Sequence, residues 1–189
     1  MKYTVSFRVW HWANAVVVLG LFATVFLRKT FLSWRTNSQI IIEKLSEFDI
    51  SITQVQAKIL AKTLRAGMWE WHIILGYGLA FFMLYRIYLY FGDSSVREKF
   101  SELDLHKKGV KIIYFLIYAT LFFMSMSGLT IHFYQELGMS KDFAHEIKEI
   151  HEAAYNILLV TVPLHIAGVI FADATKEQGL ISRMINGRK

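Results

Sequence analysis

Histidine is the residue whose type and spacing point most directly to chemistry in this chain. There are seven, at positions 11, 72, 106, 132, 145, 151 and 165, and there is no cysteine. Between His151 and His165, residues 153–164 carry no Asp, Glu, Lys or Arg. An imidazole buried in hydrocarbon is costly unless something binds it. Fourteen helical residues turn through about 1400°, roughly 40° short of four full turns, so the two rings share nearly one face. They stand about 21 Å apart along the helix axis. That is too far to share one metal ion. It suits two separate sites along one helix.

The elements that must hold these rings are apolar helices. Of 189 residues, 54% are hydrophobic and 19% are charged. The apolar residues gather into four runs, 9–27, 73–91, 112–131 and 153–172. A bilayer core about 30 Å thick needs roughly 20 apolar helical residues, so each run is long enough to cross. The chain therefore reads as all-α, an integral membrane four-helix bundle forming one domain over residues 1–189. An external loop, residues 28–68, joins the first two spans. Four crossings put both termini on one side. Lys2, Arg8, Arg97, Lys99, Lys107, Lys108, Lys111, Lys176, Arg183, Arg188 and Lys189 lie on that side, eleven basic residues against nine on the other. The bias favours cytoplasmic termini. A cleaved signal peptide is the weaker reading of the first span. No small-residue cleavage site follows Leu27, and His11 interrupts the apolar core such a signal needs. The net charge of +6 is spread over the loops, which suits membrane lipid headgroups and is no argument for nucleic acid.

Placed on these spans, the histidines pair by depth. His11 lies near the inner end of the first span, and His165 lies towards the same side in the fourth. His72 opens the second span on the outer side, and His151 immediately precedes the fourth there. This gives His72 with His151, and His11 with His165. Two imidazoles facing one another can clamp a planar macrocycle. Haem b needs two axial nitrogen ligands and no thioether attachment. A flat ring passing a helix calls for glycine. Gly76 lies one turn after His72 and Gly168 three residues after His165, each on its ligand's own face. Gly20 and Gly128 are candidates for the same service. Arg8, three residues before His11, is placed to pair with a haem propionate. Arg86 reads instead as snorkelling to lipid phosphates. Asn14 can hydrogen-bond a quinone carbonyl or a propionate, although polar residues in membrane helices more often bond helix to helix.

Other chemistry is excluded or weaker. Without cysteine there is no iron–sulfur cluster, thiolate-ligated haem, covalent c-type haem or disulfide. A lone membrane histidine is often structural or part of a proton path; four at matched depths are what favour haem. "HEIKEIH", residues 145–151, looks like a zinc-protease motif. That motif needs histidines four apart, and a gap of six turns through about 600°, which puts the two on different faces. His106, His132 and His145 fall in or near loops and receive no role. The five tryptophans, 10, 12, 34, 69 and 71, flank span ends as an aromatic belt does.

The external loop contains two amphipathic stretches, "NSQIIIEKLSE" and "TQVQAKILAKTLRAG". The second has Thr53 as a candidate N-cap and Gly67 as a candidate stop. The plain reading is two helices lying on the membrane surface. The sharper one is a docking platform for an external partner.

Three stretches, "FRVWHW" at the first span, "WEWHIILGYG" at the second and "GLISRMINGRK" at the end, join the His151/His165 pair in a pattern. With them the chain resembles the prokaryotic cytochrome b561 family, which also embraces the di-haem cytochrome b subunits of nickel–iron hydrogenases and the gamma subunit of formate dehydrogenase. The resemblance covers nearly the whole chain. It implies a bacterial inner-membrane bundle holding two b haems, one on His11 and His165, the other on His72 and His151. It also implies electron transfer between an external redox subunit or cytochrome and the membrane quinone pool, as a subunit of an oxidoreductase complex. The long 28–68 loop departs from the shorter connection of stand-alone members and points to a dedicated partner. Two rival readings are a stand-alone quinone reductase that meets a small diffusible redox agent, and a haem-free transporter or scaffold. Visible absorption separates the latter.

Overall fold

The computed structural model describes residues 3–92 and 105–187, with only the backbone at Gly92 and His106. The charges expected at Lys2, Arg97, Lys99, Arg188 and Lys189, and most of the connection between the second and third spans, lie outside the described residues. Seven helices are present among them, with no strand: α1 (Val5–Lys29), α2 (Trp34–Ser46), α3 (Gln54–Leu64), α4 (Ala66–Gly92), α5 (Leu105–His132), α6 (Lys141–Ala174) and α7 (Leu180–Ile185). Four are long and apolar enough to cross a membrane, and they carry the four expected spans. The protein is all-α, as a helical membrane bundle requires.

The helices outrun the apolar stretches. α6 begins at Lys141, where the Ser140 hydroxyl caps it by accepting the Phe143 N–H at 3.1 Å. His145 therefore lies on a helix and not in a loop, and His132 is the last residue of α5. α4 starts at Ala66, so His72 sits in its second turn and does not open it. Hydropathy marks only the lipid-embedded length of a helix. Caps mark its ends, and Lys, Glu and His extend a helix into the headgroup region at little cost.

The chain divides into two compact units, one formed by Met1–Asn14 and Tyr77–Lys189, the other by Ala15–Gly76. In the second of these, α2 and α3 pack on one another. Ser38, Ala57 and Ala61 are fully buried there, small side chains that allow close approach of two helices. Thr53 caps α3 as its sequence suggests. Its hydroxyl accepts the Gln56 N–H at 3.3 Å, and the Gln56 side chain accepts the Thr53 N–H at 2.8 Å. This reciprocal pair is a capping box. Gly67 does not stop α3, which ends at Leu64; it lies in the first turn of α4. The α2–α3 turn is made by Asp49, at φ 58°, with the Ile50 N–H closing on the Leu45 carbonyl at 3.0 Å.

In the other unit, α5 packs on α6. α6 buries Ala154, Leu158 and Thr161. With spacings of three and four residues, His151 and His165 extend this same stripe at its two ends. The buried hydroxyls satisfy themselves on their own helices: Ser125 donates to the Leu121 carbonyl at 2.8 Å and Thr161 to that of Ile157 at 2.9 Å. In hydrocarbon a hydroxyl has no water to turn to, so this back-bonding is the local solution. On the outer faces Phe115, Val160 and Phe171 stay exposed, as lipid-facing side chains do. The short α7 is held by α1. The Arg8 guanidinium donates through Nη1 to the Ile185 carbonyl at 3.1 Å, and the Trp12 indole donates to that of Met184 at 3.2 Å. A cation on the last carbonyls of a helix also favours its dipole.

Candidate functional site

α1 supplies His11 and α6 supplies His165, and the fold brings these rings together. Their centroids are 6.4 Å apart with planes at 62°. Two metal–imidazole bonds of about 2 Å each, plus the ring radii, span roughly 6 Å between centroids. The spacing therefore fits two axial ligands of one metal. Trp12 stands edge-on to His11 at 5.2 Å, and Tyr114 edge-on to His165 at 5.5 Å, which limits how each ring can turn. Nδ1 of His11 is buried and has no hydrogen-bond partner among the described residues.

His72 and His151 are gripped differently, each within its own unit. Nδ1 of His151 is 2.7 Å from the Ser127 hydroxyl of α5. Nδ1 of His72 is 2.7 Å from the Thr24 hydroxyl of α1. Trp69 packs edge-on to His72 at 5.5 Å. Neither Thr24 nor Ser127 carries a local sequence signal, because their partners lie 48 and 24 residues away.

The glycines separate into two kinds. A Cβ built on Gly76 or Gly168 meets nothing within 4 Å. Among the described residues the helix face beside His72 and beside His165 is thus open, as it also is at Gly67 and Gly109, and leaves room for a planar ring. Gly20 and Gly128 serve the protein's own packing instead. A Cβ at Gly20 would stand 3.0 Å from Leu75 Cδ1, and one at Gly128 3.4 Å from His151 Cε1. Gly128 makes room for the imidazole, not for a macrocycle.

The two arginines also divide. Arg8 spends one N–H on the Ile185 carbonyl, while its buried Nε has no partner among the described residues. Arg86 does not snorkel. Its guanidinium lies over the rings of Phe7, Trp10 and Tyr118 at 5.2, 5.5 and 5.2 Å. Three π faces close at hand hold the cation where it is. Trp10, only 2% exposed, is itself anchored by its indole N–H on the Phe82 carbonyl at 2.7 Å. Asn14 is buried, and its amide oxygen has no partner among the described residues. His132 stacks edge-on with Tyr77 at 5.8 Å, and His145 makes an exposed contact with Glu149 at 3.5 Å.

The donor set is imidazole alone, with flat glycine faces beside two of the rings. This suits axial ligation of a planar metal macrocycle, and it fits haem. A family model described as prokaryotic cytochrome b561 matches residues 2–187. No curated protein and no solved structure matches the chain.

Proposed function

The chain belongs to the prokaryotic cytochrome b561 family, a family of transmembrane haem b electron-transfer proteins, and on that premise we propose that it binds two b haems and joins an external redox partner to the quinone pool. His11 and His165 hold one haem; His72 and His151 hold the other. Bound haem supplies a one-electron iron couple whose potential is tuned by ligands, burial and hydrogen bonds. The observation that supports this reading most is the 6.4 Å separation of the His11 and His165 rings. The chain's own contribution is to hold four neutral imidazoles, to keep Gly76 and Gly168 flat, and to exclude water with lipid-facing helices. The buried Nε of Arg8 is the donor left for a propionate. The buried amide of Asn14 is a polar group for a quinone near His11. The membrane is the bacterial inner membrane, with cytoplasmic termini.

Dithionite-reduced protein should show low-spin b-type bands, and the pyridine haemochrome assay should return about two haems per chain, as four axial imidazoles at two per iron require. A single haem in well-expressed protein would refute the two-site reading.

The α2–α3 hairpin is the docking platform for the external partner. Ile40, Val55, Ile59 and Leu64 are exposed on it, more apolar surface than a connector needs. The hairpin leads directly into α4 and His72. Replacing residues 38–66 with a short flexible linker should leave both haems bound and abolish partner-dependent haem reduction. Undiminished reduction would make the hairpin a surface cover only.

A further inference from the structure

The contacts of Thr24 and Ser127 determine which nitrogen of His72 and of His151 carries the proton. Thr24 Oγ1 is 2.7 Å from the Leu21 carbonyl oxygen and 2.7 Å from His72 Nδ1. Ser127 Oγ is 2.7 Å from the Phe123 carbonyl oxygen and 2.7 Å from His151 Nδ1. A hydroxyl has one proton to donate, and a carbonyl has none. Were that proton given to the imidazole, two oxygens would face each other at hydrogen-bond distance with no hydrogen between them. The hydroxyl proton therefore goes to the helix carbonyl, and the ring's own proton fills the contact to the oxygen. Both histidines are thus Nδ1–H tautomers, and the lone pair of each ring is on Nε2. The two arrangements are built on different helices from different hydroxyl residues, yet they have the same form.

Resting on the reading of His72 and His151 as haem ligands, we propose that Thr24 and Ser127 are positioning residues, each accepting the Nδ1 proton of its histidine so that Nε2 is presented to iron. Neither touches the metal. The back-bond to the helix fixes the hydroxyl rotor, so its lone pair stays aimed at the ring. Thr24 and Ser127 are 6% and 5% exposed, so water does not stand in for them. A hydrogen bond donated by Nδ1–H also shifts electron density towards Nε2. It makes the ring a stronger donor and favours ferric iron.

The test uses the full-length, haem-loaded protein in lipid nanodiscs. Thr24→Val keeps the shape without the hydroxyl, and Ser127→Ala removes it. Each should weaken retention of one haem by about tenfold, the low end of what loss of such an orienting partner costs. Each should raise that haem's midpoint potential and alter its low-spin EPR signal, with the other haem unmoved. Thr24→Ser and Ser127→Thr should restore both readouts. The haem affected must be the one lost in His72→Ala and His151→Ala. If those two variants lose a haem while Thr24→Val and Ser127→Ala leave its potential and EPR signal unchanged, the positioning role is overturned and the ligand reading survives. A shift of both haems together would also overturn it, as general loosening. If His72→Ala and His151→Ala keep both haems, the ligand reading fails and takes the positioning role with it.

Discussion

His72 and His151 differ from His11 and His165 in what holds them. The first two are each tied through Nδ1 to a hydroxyl on a neighbouring helix at 2.7 Å. His11 has no partner for its Nδ1 among the described residues, and its ring is placed by Trp12 and by the facing imidazole of His165. One setting fixes tautomer and direction by the protein alone. The other fixes direction by packing and leaves the polar atom unsatisfied. A buried donor or acceptor without a partner costs about 1–3 kcal/mol, a cost that the Thr24 and Ser127 hydroxyls remove at the other two rings. The lesson is that four residues of one type need not be prepared in the same way.

The largest effects should come from the ligands themselves. His165→Ala and His11→Ala should each lower haem content to about one per chain, the loss expected when a site drops from two axial imidazoles to one. Both should remove the same haem, and His72→Ala and His151→Ala the other; haemochrome assay with redox titration distinguishes the two. Should His11 and His72 behave as partners, the two settings compared above would not be two sites.

The flat faces give the next effect. Gly168→Leu should displace the haem of the His11/His165 site in part, and Gly76→Leu that of the other. Spectra of each variant read this directly. Unchanged haem content in both would show that neither face lies against a ring.

A smaller effect tests whether each setting is locally controlled. Ala61 is wholly buried between α2 and α3. Ala61→Leu should destabilise the hairpin by about 1–3 kcal/mol through overpacking, seen as faster proteolysis within residues 30–65, with both haem spectra retained. A changed haem spectrum would mean that the hairpin helps orient His72, and that Thr24 does not do so alone. The smallest effect belongs to the cap. Thr53→Ala removes the α3 capping box and should cost about 1 kcal/mol, measurable as faster amide exchange in the first turn of α3 with no change at any haem.

Several features were legible in the residues alone because they depend on local rules. Four apolar runs of membrane length, the shared face of His151 and His165, and the Thr53 cap each follow from composition or helical period. Depth also puts His11 near His165, and the fold brings the two rings to 6.4 Å. Other features were hidden because they depend on which helix faces meet. Arg86 was expected at lipid phosphates, but Phe7, Trp10 and Tyr118 from two other helices converge on it. The propionate reading of Arg8 stands as a proposal, but its second task, clamping a helix end through the Ile185 carbonyl 177 positions away, is not visible in the residues alone. Gly20 and Gly128 were read as relief for a ring, but Leu75 and His151 occupy the space beside them.

By itself the sequence determined that this chain is all-helical, that four helices are long and apolar enough to cross a membrane and that no thiolate is available as a ligand. Apolar length, helical period and the absence of cysteine are properties of the chain before it folds. Tertiary structure alone decided which histidines receive a hydroxyl, which nitrogen keeps the proton and which glycines remain open. A hydrogen bond at 2.7 Å depends on two backbones being brought together in one register, and no spacing along a single helix contains that information.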